Sequence, residues 1–259
     1  MIGEAFKKLV DIMKKLRSNN GCPWDKEQTH KSLKPYLIEE SYEVIEAIDN
    51  KDTESLKEEL GDLLLQPIFH AQIAEENGDF TISDVIESIN KKLIRRHPHV
   101  FDDATINTSE EQKIHWEKLK KNEGKKSVLD GVPKTMPALV RAHRFQQKAA
   151  TVGFDWDKST QVWEKIQEEL KELKAEIDTN NKKNIFEEYG DLLFALVNLS
   201  RFLKVDPEDA LRQATNKFSR RFKKVEKALS SSGKDINKTS LKEMDEVWNK
   251  IKKNQVNKE

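Results

Sequence analysis

Two groups of carboxylates recur in this chain with the same internal spacing. The first group is Glu-Glu-Ser-Tyr-Glu at 39–43 followed by Glu-Leu-Gly-Asp at 59–62, and the second is Glu-Glu-Leu-Lys-Glu at 168–172 followed by Glu-Tyr-Gly-Asp at 188–191. The interval from position 43 to position 59 equals the interval from position 172 to position 188. Because like charges repel, a spacing kept twice between acidic pairs needs a physical reason. A bound cation is the simplest one.

The spacing within each motif places its carboxylates on one face of a helix. Residues three apart share a helix face, so Glu40 and Glu43 project together from one helix, as do Glu59 and Asp62 from the next. A short turn between the two helices makes them antiparallel, and the four carboxylates then converge. Such hard oxygen ligands suit Mg²⁺ or Mn²⁺. The second copy repeats the arrangement with its own metal candidates, Glu169, Glu172, Glu188 and Asp191.

Two other interpretations of these carboxylates are weaker. In a chain that is 36% charged, glutamates three residues apart commonly lie on a solvated helix face, yet that interpretation does not predict the repeated spacing. A di-iron centre of the ferritin type requires Glu-x-x-His on each of two helices, and the sequence offers such an element only at 27–30. Ligation by oxygen alone indicates magnesium and phosphate chemistry rather than redox chemistry.

Each copy also carries two cations and a tryptophan suited to a nucleotide. The cations stand four residues apart on one predicted helix and the tryptophan follows near the end of the copy: Lys92, Arg96 and Trp116 in the first, Lys217, Arg221 and Trp248 in the second. Arginine binds phosphate through two parallel hydrogen bonds, and an indole stacks on a base. Singly, such residues usually belong to a solvated face or a core edge, and we assign Trp24 and Trp156 to packing. Their recurrence beside the carboxylates favours a nucleotide site.

The repeat extends to a whole domain. The segment 21–25 matches the segment 153–157, and each precedes the acidic motifs of its own copy. Tandem duplication of one helical domain explains this repetition. We predict an N-terminal domain at 1–122, a linker at 123–137 that contains two glycines and two prolines, and a C-terminal domain at 138–259.

The composition predicts an all-α fold. Aromatic residues make up 7% of the chain, and few residues show the alternating pattern of a strand. Helical periodicity and capping residues predict five helices in each copy, near 3–17, 35–49, 53–76, 82–96 and 109–122, and near 138–151, 160–178, 183–203, 207–230 and 239–254.

The charge balance and cysteine content restrict the partners and the compartment. Lys and Arg number 46, as do Asp and Glu, so no net field favours nucleic acid or an anionic membrane. Cys22 is the single cysteine, which excludes an intrachain disulfide and favours the reducing cytoplasm. No apolar stretch has the length of a membrane span.

With these motifs the chain resembles the MazG-type nucleoside triphosphate pyrophosphohydrolases of the all-α NTP pyrophosphatase superfamily, in their two-copy form. The resemblance rests on the four acidic motifs and on the segments 21–25, 95–101 and 152–156. It implies two MazG-like helical-bundle domains and Mg²⁺-dependent hydrolysis of triphosphates between the α and β phosphates, giving a monophosphate and pyrophosphate. It also implies broad base tolerance, a homodimer, and catalysis mainly by the C-terminal copy.

The resemblance also implies roles for single residues. Metal-binding and catalytic roles fall on the four carboxylates of the second copy, and nucleotide contacts fall on Lys165, Lys217, Arg221 and Trp248, with Glu168 as a further candidate. Asn184 stands where the family can have a lysine, although Lys182 and Lys183 are close. In the first copy, Pro67 is predicted to distort the helix that carries Glu59 and Asp62.

Two questions stay open at the level of sequence. The candidates for the general base are Glu169, Glu172 and Glu188, with Glu168 as an additional candidate, and spacing alone does not select among them. The alternative function is a helical module that binds nucleotides or a regulatory partner without turnover.

Overall fold

A computed structural model describes residues 1–101, 108 and 127–256 of the chain. It divides the chain into two compact units, Met1–Asn107 and Thr108–Glu259. The described residues contain helices, turns and no strand, which confirms the all-α prediction. None of the described helices is both long and apolar enough to cross a membrane.

The first unit contains six described helices. They are α1 (Ile2–Leu16), α2 (Pro23–Glu27), α3 (Lys34–Asn50), α4 (Thr53–Asn77), α5 (Ile82–Arg96) and α6 (Pro98–Phe101). Four of them match predicted helices to within one residue at each end, whereas the short α2 and α6 were not predicted. The predicted helix at 109–122, with Trp116, lies outside the described residues, so the domain boundary at 122 stays a prediction.

The second unit repeats the long helices. They are α7 (Ala138–Ala150), α8 (Ser159–Thr179), α9 (Lys182–Phe202), α10 (Pro207–Ser231) and α11 (Leu241–Val256), with a 3₁₀ turn at Ile236–Lys238 before α11. All five predicted helices are present, with ends shifted by at most two residues. The described part of the predicted linker, 127–137, consists of turns and irregular backbone.

Both units join their acidic helices by the same tight turn. In the first unit Lys51 adopts a left-handed conformation (φ 55°) and ends α3, and the Asp52 side chain accepts hydrogen bonds from the first turn of α4. In the second unit Asn180 (φ 54°) ends α8 and the Asn181 side chain caps α9. The left-handed residue reverses the chain and the cap satisfies a free helical N–H. Each pair therefore packs as an antiparallel hairpin.

Apolar side chains on the inner faces hold each hairpin in place. The core of the first unit comprises Met13, Leu33, Ile68, Phe69 and Ile73, and that of the second comprises Val162, Ile166, Ala195 and Leu199. Burial of a large aliphatic side chain contributes about 1.5–3 kcal/mol. This packing fixes the register between α8 and α9, and with it the separation of their acidic residues.

Pro67 does not interrupt its helix. α4 runs without a break from Thr53 to Asn77 through Pro67. Proline has no N–H and removes one backbone hydrogen bond, but the apolar contacts of the neighbouring Ile68 and Phe69 keep the helix in place. The helix is therefore not broken at Pro67. That Pro67 distorts α4 in a milder way stays a prediction.

Candidate functional site

The α8–α9 hairpin brings carboxylates from two helices together. Glu169 on α8 and Glu188 and Asp191 on α9 each present an oxygen, and the three oxygens lie within 4.8 Å of one another. Glu169 is buried, Glu188 is half-buried and Asp191 is exposed, so the group opens from the interior towards solvent. We call these three residues the C-terminal carboxylate cluster.

Two further glutamates extend this cluster along α8. Glu168, Glu169 and Glu172 form a second group in which one oxygen from each residue lies within the same 4.8 Å limit. Glu169 belongs to both groups and connects them. The five predicted acidic residues of this copy therefore form one continuous acidic surface.

Lys165 provides a positive charge at one side of this surface. Its Nζ atom lies 2.7 Å from an oxygen of Glu168 and 2.7 Å from an oxygen of Glu169. Hydrogen bonds to Glu168 and then to Glu169 raise the pKa of Lys165 above its usual value. Lys165 therefore stays charged at neutral pH and offsets part of the carboxylate charge.

Considerable negative potential nevertheless remains on α9. Burial, followed by the charges of Glu172, Glu169 and Asp191, raises the pKa of Glu188 above its usual value. The potential of Glu172 thus reaches Glu188 across the hairpin. A divalent cation would relieve this repulsion, and a donor set made only of carboxylate oxygens fits Mg²⁺ or Mn²⁺. The residues present therefore fit the implied metal.

The α3–α4 hairpin contains a corresponding group. Glu40, Glu59 and Asp62 present oxygens within 4.8 Å of one another. Burial, then Asp62, then Glu43, raises the pKa of Glu40, and burial followed by Glu43 raises the pKa of Glu59. Glu43 thus contributes to the potential as Glu172 does in the second copy. The first copy retains an assembled acidic site despite Pro67.

The space beside the last acidic residue is open in both copies. A Cβ atom built on Gly61 or Gly190 would meet nothing within 4 Å among the described residues. No described helix of the same unit therefore packs against either glycine. This leaves the backbone before Asp62 and Asp191 accessible to a ligand or another molecule.

The predicted nucleotide contacts on α10 and α11 form a separate group. The Arg221 guanidinium lies 5.9 Å from the centre of the Trp248 ring, and the Phe218 ring centre lies 5.3 Å from it. Lys217 is exposed one turn before Arg221. Trp248 is half-buried and already has an aromatic neighbour, so packing accounts for part of its surface. The helix α10 contacts α7, which also contacts α9.

The remaining predicted cations lie at helix ends or on exposed faces. Lys92 is exposed and Arg96 half-buried on α5. The backbone N–H of Asn184 donates to Asn181 Oδ1 at 3.4 Å as part of the α9 cap, whereas Lys182 and Lys183 are exposed in the same turn. Lys183 Nζ is 3.9 Å from Glu187, a loose pairing that leaves the side chain adaptable.

Sequence reasoning missed a group of side chains between α7 and α9. Gln146, Phe194 and Asn198 line a cavity in the second unit. The available signal was a difference between the copies. When the copies are aligned on Asp62 and Asp191, Asn198 stands where the first copy has Phe69.

Comparison with known proteins identifies the family. The protein-family model of the MazG nucleotide pyrophosphohydrolase domain matches the sequence of this chain twice, at residues 28–101 and 158–226. The chain belongs to the MazG family. The two matched segments contain both acidic groups and both cation pairs, whereas Trp116 and Trp248 lie beyond them.

Relatives in the family resemble this chain over nearly its full length. The Thermotoga maritima protein named nucleoside triphosphate pyrophosphohydrolase/pyrophosphatase MazG is 54% identical over 253 residues, which cover 96% of each chain. The Escherichia coli K12 nucleoside triphosphate pyrophosphohydrolase is 43% identical over 256 residues, which cover 96% of this chain and 97% of that protein. The uncharacterized Bacillus subtilis protein YabN is 48% identical over 97% of this chain but only 52% of its own length. The similarity to the first two relatives thus includes both copies.

Proposed function

We propose that this MazG-family chain is a hydrolase that cleaves nucleoside triphosphates between the α and β phosphates, releasing a nucleoside monophosphate and pyrophosphate. The observation that carries the proposal is the convergence of Glu169, Glu188 and Asp191 from two helices in a unit that matches the MazG model. The names of the relatives from Thermotoga maritima and Escherichia coli support the triphosphate as the substrate class.

The C-terminal carboxylate cluster, together with Glu172, would hold Mg²⁺ or Mn²⁺. The bound ion would neutralise phosphate charge and polarise a water molecule. Glu169 is fixed for this role, because its side chain is buried and Lys165 lies 2.7 Å from it. Asp191 is exposed and faces the solvent side from which a nucleotide arrives.

The remaining steps use charged side chains of the second unit. A carboxylate of the acidic surface that is not fully engaged with the metal would accept the proton of the attacking water. Lys217 and Arg221 would bind the leaving pyrophosphate as its charge grows. Lys165 is held by Glu168 and Glu169 and is available to the phosphates at the edge of the surface.

We also propose that the chain forms a homodimer, as the family resemblance implies. Phe186, Tyr189 and Leu193 follow one face of α9 and are 82%, 56% and 39% exposed. Such a row of large apolar side chains is typical of a surface that another protein covers. In size-exclusion chromatography with light scattering we expect twice the mass of one chain, and Phe186→Lys should shift the protein towards the monomer.

We also propose a cytoplasmic location, because a chain with Cys22 as its single cysteine suits a reducing compartment.

A product assay tests the proposed reaction. Purified protein is incubated with the common ribonucleoside and deoxyribonucleoside triphosphates and Mg²⁺, and the products are separated by ion-exchange chromatography. Monophosphate and pyrophosphate are expected, and EDTA or Asp191→Asn should suppress both. Release of diphosphate and phosphate would refute cleavage between the α and β phosphates. Nucleotide binding without any product would instead favour a regulatory binding module.

A further inference from the structure

Two histidines of the first unit are in direct contact. Nδ1 of His30, in the segment between α2 and α3, lies 2.8 Å from Nδ1 of His70 on α4. The ring planes are inclined by only 9°, and the ring centres are 5.1 Å apart. Because the nitrogens are so much closer than the ring centres, the rings meet edge to edge with their Nδ1 atoms facing each other.

This geometry requires a single proton between the two nitrogens. A neutral imidazole donates from one nitrogen and accepts at the other, so one ring has its proton on Nδ1 and the other on Nε2. One added proton keeps the hydrogen bond, because the charged ring still donates to the neutral one. A second added proton removes the last acceptor and places two positive rings face to face. A metal ion needs about 2.0 Å to each nitrogen and does not fit between them.

The surroundings of His70 oppose this second protonation. His70 is half-buried on α4, whereas His30 is exposed. Burial, followed by the charge of His30, lowers the pKa of His70 below its ordinary value of 6.5. Gln66 and Ala74, its neighbours one turn away on α4, carry no charge.

Several charged side chains on the adjoining elements are already paired. The charged residues around the contact are Lys31 and Lys34 beside His30, Glu40 on α3, Lys14 and Arg17 on α1, Glu75 and Glu76 at the end of α4, and Asp84 on α5. Lys14 pairs with Glu75 at 3.2 Å, and Arg17 with Glu76 at 2.7 Å. Among the described residues, the charge that lowers the pKa of His70 is that of His30. The two rings therefore titrate as a pair.

The second unit has apolar residues at the corresponding positions. His70 corresponds to Leu199 when the copies are aligned on their last acidic residues, and His30 corresponds to Val162 when they are aligned on the matching segments before the acidic motifs. Leu199 and Val162 both belong to the buried core of the second unit. The same place is therefore sensitive to protons in the first unit and insensitive in the second.

The histidine contact attaches the segment 28–33 to α4. This segment leads into α3 at the open end of the α3–α4 hairpin, opposite the tight turn that joins the two helices. It is held together by its own hydrogen bonds, such as that from the Leu33 N–H to the Thr29 carbonyl oxygen at 3.1 Å. Loss of the contact between His30 and His70 would therefore detach the segment from α4 without removing these local bonds.

We propose that His30 and His70 form a pH switch that holds the segment 28–33 against α4 at neutral pH and releases it when both rings are protonated. Folded His70 binds a proton less readily than unfolded His70, because its pKa is lowered. The stability that the contact provides is therefore present above pH 6.5 and is lost as the pH falls from there through the lower folded pKa. The proposal does not depend on the proposed reaction.

Amide hydrogen exchange of the full chain, followed by mass spectrometry from pH 8 to pH 4.5, tests the release. Rates are corrected for the pH dependence of intrinsic exchange. In the wild type we expect the protection of residues 28–33 to fall by about fivefold below pH 6.5, the effect of one lost hydrogen bond. His70→Asn keeps a polar group near the position of Nδ1 without a titrating charge, so protection should stay high throughout. His70→Leu, which introduces the residue of the second unit, should show low protection throughout.

Two controls separate the switch from other titrations. His143→Asn removes another half-buried histidine, on α7, whose pKa burial also lowers, and it should leave the response of residues 28–33 unchanged. Residues 159–162 of the second unit should keep their protection over the same range. The carboxylates of the α3–α4 hairpin are present in every variant, so a response that comes from them would persist in His70→Asn.

NMR of the imidazole nitrogens tests the shared proton directly. We expect one ring to be protonated on Nδ1 at pH 8 and the pair to titrate in two separate steps, with a single step for His30 in His70→Asn. Independent titration of the two rings would overturn the proposal, as would equal pH responses of the wild type and His70→Asn. If circular dichroism shows that a His70 variant does not fold, His30→Asn provides the same test, because it also prevents a second charge.

Discussion

The Nζ atom of Lys165 lies 2.7 Å from a carboxylate oxygen of Glu169, the most buried of the acidic residues in the C-terminal carboxylate cluster. The two residues are one helical turn apart on α8, and the same Nζ atom is 2.7 Å from Glu168. The lysine side chain is 38% exposed, whereas that of Glu169 is only 6% exposed. Lys165 thus compensates a buried negative charge while its ammonium group remains accessible to phosphate.

We expect Lys165→Met to impair both affinity and stability. Without the ammonium group, the negative charge of the buried Glu169 is less compensated, so the free energy of unfolding in EDTA should fall. The loss should be only about 1 kcal/mol, because solvent screens the partly exposed lysine. KM for triphosphates should rise. Lys165→Arg should retain most stability, since it keeps the charge. Unchanged KM and stability in Lys165→Met would show that the pair is incidental.

The carboxylates themselves should be needed for turnover rather than for folding. We expect Glu172→Gln and Asp191→Asn each to abolish most hydrolysis while circular dichroism shows the same helical content. Removal of one negative charge lowers the repulsion within the acidic surface, so the metal-free variants should unfold at the same temperature as the wild type or a higher one. Mg²⁺ should raise the unfolding temperature of the wild type more than that of either variant. Loss of the folded structure would assign the acidic cluster a structural role.

Local signals explain why the helices and the acidic groups were predictable. Thr81 caps α5, and Gly78 ends α4 with a φ of 76°, so residue types alone indicated these boundaries. The convergence of carboxylates follows from a three-residue spacing on two helices joined by a tight turn. Each of these signals involves neighbours along the chain or a single hairpin.

The cavity was not predictable because it depends on contacts between distant segments. Trp156 was assigned to packing together with Trp24, yet it is 43% exposed and lines the cavity. The deciding residue is Asn198, which is far from Trp156 in the sequence. Its side chain is smaller than that of Phe69, its counterpart in the first copy. Trp156 therefore lacks the packing partner that Trp24 has. A motif preserved between the copies therefore has different surroundings in each.

An ion pair in the first unit predicts a specific pH dependence. Arg17 donates to Glu76 through Nε at 2.9 Å and Nη2 at 2.7 Å, which joins α1 to α4, and these hydrogen bonds lower the pKa of Glu76. A depressed carboxylate pKa gives stability that is present above the unfolded value of 4.5 and lost as the pH falls through the lower folded value.

We therefore expect Glu76→Gln to destabilise the protein by about 1 kcal/mol at pH 7, a modest value because solvent reaches Glu76. The difference from the wild type should shrink as the pH is lowered from 4.5 towards the folded pKa of Glu76. Chemical unfolding followed by circular dichroism between pH 3 and 7 measures this. Glu226→Gln, an exposed position on α10, serves as the control. A difference that is constant over the whole pH range would contradict the assigned cause.

The first copy should contribute little to hydrolysis even though its acidic group is assembled. We expect Glu43→Gln combined with Glu59→Gln to retain most triphosphate turnover, because the family resemblance assigns catalysis mainly to the C-terminal copy. In the core of the first unit, Phe69 also fills the space that the smaller Asn198 leaves open in the second unit. Glu172→Gln combined with Glu188→Gln is the matched double variant. If the two double variants lose activity equally while the molecular mass is unchanged, both copies take part in catalysis.

Trp248 and Arg221 lie close together, and kinetics can separate their roles in binding and in catalysis. Stacking on a base is similar in the ground state and the transition state, so Trp248→Ala would raise KM by about tenfold with little change in kcat if the indole contacts the base. Arg221→Ala should lower kcat more strongly, because charge on the leaving pyrophosphate increases during the reaction. Phe218 lies 5.3 Å from the Trp248 ring and gives it a packing partner. An unchanged KM with a lower unfolding temperature in Trp248→Ala would therefore assign Trp248 to packing.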